Sequence, residues 1–324
     1  MRALIVTSMW PSPAAPARGS FVRDQVAALE RIPGVEVEVF AFPPKGYARA
    51  AAALRRRYRR ARFDVVHAHF GLTAWPALAV PHATRVVTLH GTDLRHPRSR
   101  RITAAALPRY DLVAAVSPEL ARDVPGAGGR RRVAVLPCGV DLDRFVPMSR
   151  AAARERLGLD PDGRYVLFPA DPARPAKRPD RARELAAATG AHLLELGRVD
   201  PLEVPYWVNA CSAVVVPSEH EGFGLAALEA LACDVPVLAT RVGNHPAALD
   251  GIEGTLCAPY EPAAWGAALA AHLDAPDPRV EGRARAGLWS AQRMARRVLD
   301  AWIEVSGAPL YSPAEAPSDG ALSI

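Results

Sequence analysis

Short runs of β-branched and aliphatic residues recur along the chain, each followed by a segment long enough for a helix, and this alternation limits the fold more than any other feature. The first set lies at residues 3–7, 35–40, 65–68, 86–89, 112–116 and 133–136. Strands separated by helical segments pair in parallel through crossovers. Runs such as Asp111-Leu-Val-Ala-Ala-Val are apolar on both sides, as strands covered by helices on both faces must be. The rhythm breaks at Pro137-Cys138-Gly139 and a polar stretch runs on to Pro147. It then restarts at 165–168, 192–196, 213–216, 236–239 and 254–257. The expectation is an α/β chain of two doubly wound parallel-sheet domains, residues 1–145 and 146–305, followed by a tail at 306–324 rich in Pro, Ser and Gly. Two such sheets place the carboxyl ends of their strands around one cleft, where ligands of open α/β sheets bind.

Composition excludes several alternatives. With 50% hydrophobic and 23% charged residues among 324, the chain has enough apolar material for packed cores. Cys138, Cys211, Cys233 and Cys257 are far apart, with no C-x-x-C pair, so neither a zinc site nor a disulfide framework is expected and reducing cytosol is the natural compartment. The apolar run at the N-terminus is too short for a signal peptide, and the longest uncharged stretch, 70–84, is broken by Pro76 and Pro81, so any membrane contact is expected to be peripheral. The net charge of +6 hides a split. Residues 1–150 carry 24 basic and 11 acidic side chains, a balance of +13, while the remaining 16 and 23 give −7.

The most informative stretch runs from Val214 to Val237. A buried strand is followed by Pro217-Ser-Glu-His-Glu221-Gly222-Phe223-Gly224 and then by a helix from about Leu225 to Ala232. A helix N-terminus after a glycine turn offers free N–H groups and a positive dipole end to an anion, and the glycines allow a ligand close to the main chain. Along a helical path the α-carbons of Glu221 and Glu229 would lie about 12 Å apart, one carboxylate for each end of an extended ligand.

The string Glu221-Gly-Phe-Gly-Leu-x-x-x-Glu229-Ala-x-Ala-Cys-x-x-Pro-Val resembles the E-x7-E signature of retaining glycosyltransferases of family 4, which have the GT-B fold of two Rossmann-like domains. Supporting matches are Asp64-Val-Val-His67, Thr88-Leu-His90-Gly-Thr-Asp93, Val116-Ser117, Pro137-x-Gly139-Val-Asp141-x-x-x-Phe145 and Val242-Gly243. The resemblance covers roughly residues 3–300, and its wording at Ala232-Cys-Asp-Val-Pro-Val is closest to a compact bacterial branch acting in cell-surface polysaccharide synthesis of teichuronic-acid type. It implies that Glu221 hydrogen-bonds the transferred sugar and Glu229 the nucleotide ribose, with Gly222, Phe223, Gly224 and Leu225 lining the donor. The chain departs from the family at Asp234, where Gly is usual, at Cys138, where Asn is usual, and at Asn244 and Ala247, where a second Gly and a Glu are usual. The stretch 197–206 is also short, lacking a strand and helix.

The family places an Arg and a Lys after the strand at 165–168 to hold the diphosphate. Lys177 matches; Asp171 occupies the Arg position, leaving Arg174 as a shifted substitute. A fixed cation there neutralises charge that grows as the glycosidic bond breaks. His90 ends a strand before a glycine and is expected to face the donor sugar, with a structural histidine as the alternative. Gly19, after the first strand, resembles the glycine loop that touches phosphate or acceptor, with a helix cap by Ser20 as the plainer reading. His67 and His69 share a strand face, a spacing that metal-dependent hydrolases use, but no further ligand cluster accompanies them. Residues 55–62, Arg-Arg-Arg-Tyr-Arg-Arg-Ala-Arg, form a basic run whose apolar side would be Leu54, Tyr58 and Phe63, either an anionic-membrane contact or a solvated face. No nucleic-acid recognition fold is present.

The resemblance therefore implies a metal-independent transferase, without a cofactor, that moves a sugar from a nucleotide sugar to a glycan, lipid-linked or small-molecule acceptor. It would work in the cytoplasm or peripherally on the inner membrane face. The alternatives are a nucleotide-sugar epimerase of the same fold and a sugar-nucleotide-binding protein without activity. A phosphorylase is disfavoured because no lysine suited to pyridoxal phosphate follows the Glu229 helix.

Overall fold

The computed structural model describes residues 1–128, 133–197 and 199–308. The first sheet comprises β1 (Arg2–Thr7), β2 (Glu36–Ala41), β3 (Val65–His69), β4 (Thr84–Leu89), β5 (Leu112–Ala115) and β6 (Val133–Val135), in the order β2-β1-β3-β4-β5-β6 with every pairing parallel. The second comprises β7 (Tyr165–Phe168), β8 (His192–Glu195), β9 (Ala213–Val216), β10 (Val237–Ala239) and β11 (Leu256–Cys257), in the order β11-β10-β9-β7-β8, again parallel. The strands stand where the apolar runs place them. β3 and β9 are buried along their whole length, which explains why their sequences do not alternate.

Strand order reverses between β1 and β3 in one sheet and between β7 and β9 in the other. The loops leaving those strands open outward at the reversals, where a crevice forms. Gly19 follows β1, His90 follows β4, Lys177 follows β7 and Glu221 follows β9, so four candidate residues come from loops on the carboxyl edges of the two sheets.

The division at residues 145 and 146 misplaces the end of the chain. Helix Ala291–Ser306 returns to the first sheet, where Met294, Val298, Leu299 and Trp302 pack with Ile5, Val22, Val65 and Val86 in one buried cluster. Each of these side chains gains about 1.5–3 kcal/mol from burial against the first sheet and its first helix. Ser306 is the last residue of this helix rather than the first of a tail, and residues 309–324 of the expected tail lie outside the described residues.

Of the sequence departures, that at Asp234 has a local explanation. Asp234 has a φ of 55°, the left-handed conformation that glycine adopts most readily. Its Oδ1 accepts hydrogen bonds from the N–H groups of Gly282 at 3.0 Å and Arg283 at 2.8 Å. The carboxylate thus ties the turn to the next segment, at a position outside the cleft. Cys138 is a free thiol with its pKa pushed up to about 12 by burial. The short 197–206 stretch leads into helix Val204–Ala210 with no strand between β8 and β9 among the described residues.

The basic run also differs from expectation. Helix Tyr47–Tyr58 ends before Arg59, and the apolar side formed by Leu54, Tyr58 and Phe63 is buried in the first domain. Arg55 and Arg56 remain exposed, while Arg57 pairs with Glu38 at 2.8 Å. Any contact with a bilayer through this run is consequently electrostatic rather than insertional.

Candidate active site

The second domain builds its side of the cleft from two loops. After β9 the chain turns through Ser218, Glu221 and Gly222 before helix Leu225–Ala232 begins. Gly224 precedes that helix with φ 99°, and a Cβ there would stand 2.5 Å from Nε2 of His245. This helix starts with no side-chain cap, so its first N–H groups are open to an external acceptor. Glu221 lies outside the helix, and the two carboxylates are therefore not joined by the continuous helical path that their spacing suggests. Phe223 is buried and Leu225 half-buried, both acting as packing for the turn.

Lys177 comes from the second loop, in a short 3-10 turn at Pro175–Lys177 that the Glu219 N–H anchors by donating to the Ala176 carbonyl. Its Nζ lies 2.6 Å from both oxygens of Glu221, and Ser218 Oγ donates to Oε1 at 2.8 Å. Burial pushes the Glu221 carboxyl up, but the Lys177 ammonium, helped by His245, outweighs it and holds the group below its usual range. The carboxylate is thus ionised, with its side chain only 8% exposed. Arg174 sits three residues earlier with an exposed side chain, while Asp171 accepts a hydrogen bond from the Ala173 N–H and shapes the turn.

Glu229 sits within the helix. Burial, with Asp24 adding and Arg144 opposing, raises its pKa to about 7. Arg144, from the connection between the sheets, reaches Asp24 on the first domain at 2.7 Å. The ribose carboxylate implied by the resemblance therefore stands near an ion pair that fastens the connection between the sheets to the first domain.

From the first domain, His90 approaches this surface. The built Cβ of Gly222 would fall 2.1 Å from the His90 carbonyl oxygen, so the two main chains touch across the cleft. Arg95 Nη2 donates to the Glu221 carbonyl at 3.3 Å, and the Gly243 N–H donates to Glu119 at 3.1 Å. The His90 N–H donates to Asp93 Oδ2 at 2.9 Å, and its Nε2 pairs with His69 Nδ1 at 3.0 Å. Beside His90 and Phe70 lies a cavity of about 210 Å³ lined by Ser8, Tyr47, Thr92, Asp93 and Ser99 among others. Gly19 precedes helix Ser20–Glu30 with φ 67°, and a Cβ would fall 2.2 Å from the Met9 carbonyl oxygen. Ser20 does not cap that helix, so the glycine is required by backbone geometry.

Family models match both halves of the chain: "Glycosyltransferase Family 4" over residues 3–144 and "Glycosyl transferases group 1" over residues 169–275. A D-inositol 3-phosphate glycosyltransferase of Geodermatophilus obscurus is 31% identical over 341 aligned residues, covering 83% of this chain and 76% of that protein. The chain belongs to the family 4 glycosyltransferases. The protein of the same name from Segniliparus rotundus is 30% identical, with 81% of this chain and 68% of that one covered. Glycosyltransferase 2 of that name from Catenulispora acidiphila is 38% identical over 49% of this chain, where the chain spans about half (48%) of that relative. Among solved structures, sucrose-phosphate synthase from Thermosynechococcus elongatus superposes with a TM-score of 0.74 at 20% identity, covering 95% of this chain and all of that one (100%). Anabaena HepE in complex with UDP and glucose gives 0.70 at 16% identity, covering 94% and 100%. These two likenesses establish the two-domain GT-B fold for the glycosyltransferase.

Several residues around its cleft are not among the site residues that the sequence suggested. Asn244 and His245 follow Gly243, and the buried Asn244 Nδ2 and His245 Nε2 have no protein partner. Arg95, Glu119 and Arg144 act through contacts that join distant segments, which no local pattern announces, while Ser218 reaches Glu221 within its own turn. His67 and His69 are held by protein groups: His67 by Trp302 and Thr88, His69 by Gln25 and His90. Among the described residues no group of three or more His, Cys, Asp and Glu side chains is placed to hold a metal ion.

Proposed function

We propose that this glycosyltransferase moves a sugar from a nucleoside-diphosphate sugar, held by its second domain, to a hydroxyl of a glycan or lipid-linked acceptor held by its first. Transfer proceeds with retention of anomeric configuration and without a metal or other cofactor. One observation carries the reading: the ionised Glu221, locked to Lys177, meets the His90 segment across the cleft at Gly222.

In this reading Lys177, with Arg174 within reach and the N-terminus of helix Leu225–Ala232, faces the diphosphate. Its positive charge grows in value as the bond from C1 to the diphosphate oxygen breaks. Glu221 and His90 hold hydroxyls of the transferred sugar, Glu229 takes the ribose hydroxyls, and Gly19 lets the first domain approach the phosphates. The acceptor oxygen bonds to C1 on the face that the diphosphate leaves, and its proton passes to the departing phosphate oxygen. The cavity beside Phe70 offers hydroxyls and the Asp93 carboxylate but no lysine or arginine. It therefore suits a hydroxyl-rich part of the acceptor; phosphate-bearing acceptors, which the names of the inositol 3-phosphate relatives suggest testing, would have to place their anion at its rim. The exposed arginines of the 55–62 run are assigned to an anionic membrane surface.

Incubation with UDP-, GDP- and ADP-sugars and a panel of acceptors, with and without EDTA, tests this. The expected result is an α-linked product from an α-linked donor at the same rate in EDTA. An inverted linkage refutes the retaining mechanism, loss of activity in EDTA refutes metal independence, and isomerisation of the donor without acceptor identifies an epimerase.

A further inference from the structure

Three imidazoles stand in a row beneath the cleft. His67 and His69, from β3, stack at 4.6 Å between ring centroids, and His69 and His90 at 5.2 Å. Burial holds all three below the ordinary histidine pKa, His69 down to about 3. A neutral imidazole carries one proton, so the partner on one nitrogen settles whether the other donates or accepts. Trp302 Nε1 can only donate, and at 3.2 Å from His67 Nδ1 it leaves the His67 proton on Nε2, directed at Thr88 Oγ1 2.7 Å away. That ring is closed off.

The second branch ends differently. Gln25 lies on the buried face of helix Ser20–Glu30 beside Val22, Val26 and Leu29, where an amide needs a partner. Its Nε2 is 3.3 Å from His69 Nε2. An amide N–H donates, so the His69 proton sits on Nδ1 and is donated to His90 Nε2 at 3.0 Å. His90 must then carry its own proton on Nδ1. That nitrogen has no protein partner among the described residues and is not among the buried unpaired atoms. Phe21 and Phe70, with ring centroids 4.9 and 4.5 Å from that of His90, fix the ring plane.

We propose that Gln25 and His69 are positioning residues that hold His90 as an Nδ1–H donor, so that the cleft selects a sugar presenting a hydrogen-bond-accepting oxygen at that point. The proposal rests on the transfer reading for the identity of the ligand, but the direction of the hydrogen-bond chain can be measured without it. Gln25→Met removes the amide donor at similar volume, His69→Asn keeps an N–H near the Nδ1 position, and His69→Leu keeps none.

The test combines ¹⁵N NMR of the histidine rings in the full chain with UDP-glucose turnover and UDP binding. Wild-type His90 is expected as the Nδ1–H tautomer. Gln25→Met and His69→Leu should yield tautomer mixtures and lower kcat by about 10-fold, the loss expected for one oriented hydrogen bond in the transition state, with the Kd for UDP unchanged. His69→Asn should restore both tautomer and kcat. An Nε2–H His90 in the wild type, or a Gln25→Met protein with unaltered tautomer and kcat, overturns the proposal. Should His69→Leu fail to fold, Gln25→Met decides alone. A Gln25-dependent Nδ1–H tautomer in a chain that turns over no nucleotide sugar would remove the transfer reading and leave the positioning roles in place.

Discussion

Gly222→Ala is the sharpest perturbation of the closed cleft. The added methyl carbon would lie 2.1 Å from the His90 carbonyl oxygen, whereas ordinary contact begins near 3.4 Å, so the domains must part there by about 1.3 Å. Neither side yields easily, since the clashing atom is main chain and the His90 segment is tied by its N–H to Asp93. A displacement of about 1 Å between groups that must act together costs on the order of 100-fold in rate. The nucleotide-facing residues Lys177 and Glu229 stay on their own domain, so nucleoside-diphosphate affinity should change by less than about threefold, well under 1 kcal/mol. The comparison is Gly266→Ala, in helix Pro262–Asp274, where the new Cβ meets nothing within 4 Å. That change should leave kcat alone and add about 0.5–1 kcal/mol of stability. Initial rates, calorimetric titration and thermal unfolding of the three proteins give the answer. A Gly222→Ala enzyme with wild-type kcat, or one that loses nucleotide binding as steeply as turnover, refutes the reasoning.

Three further outcomes are expected. With the Glu229 pKa raised to about 7, the ionised fraction falls about tenfold from pH 8 to pH 6, and nucleoside-diphosphate affinity should fall with it; Glu229→Gln should flatten the profile at the low-pH level in calorimetric titrations. The sign for stability is opposite, because a carboxyl that binds its proton more tightly when folded favours the fold below about 4.5 and gives that contribution up as pH rises through 7. Asp234→Ala should destabilise by about 2 kcal/mol through two lost hydrogen bonds at a left-handed residue, and Asp234→Gly by less, as measured by denaturant unfolding. Replacing Arg55, Arg56, Arg59 and Arg60 by Gln should release the enzyme from phosphatidylglycerol vesicles in co-sedimentation, as should added salt; wild-type protein left in the supernatant at low salt would reduce the run to a solvated face.

The sequence was most legible where local chemistry suffices. Buried parallel strands announce themselves as short two-sided apolar runs, and helix Leu225–Ala232 has the bounds its glycine turn and apolar pattern suggest. Lys177 and Glu221, 44 residues apart, were each nameable from their loops, and strand order brings them together. What could not be read depends on partners distant in sequence. The pattern of residues 291–306 marks an amphipathic helix but not which sheet it covers. The apolar side of the basic helix looked free until Leu54, Tyr58 and Phe63 met the core. Gln25 offered a usable signal, a lone amide among aliphatic residues on one helix face, yet its meaning needed the imidazole opposite.

The return of helix Ala291–Ser306 means that the polypeptide passes between the domains twice, and the two passages run side by side. Val140 bridges Ser290: its N–H donates to the Trp289 carbonyl at 2.8 Å, and the Ala291 N–H donates back to the Val140 carbonyl at 2.8 Å. Gly139 admits this proximity, since a Cβ there would stand 2.8 Å from the Ala291 α-carbon. A single tether swivels about its own length; two laced together resist torsion and leave bending as the soft motion. A joint of this kind favours opening of the cleft by rocking over sliding of the His90 segment past Glu221 and Lys177. Cutting the chain before residue 290 would do more than shorten it: the first sheet would lose its cover and the joint its second strand.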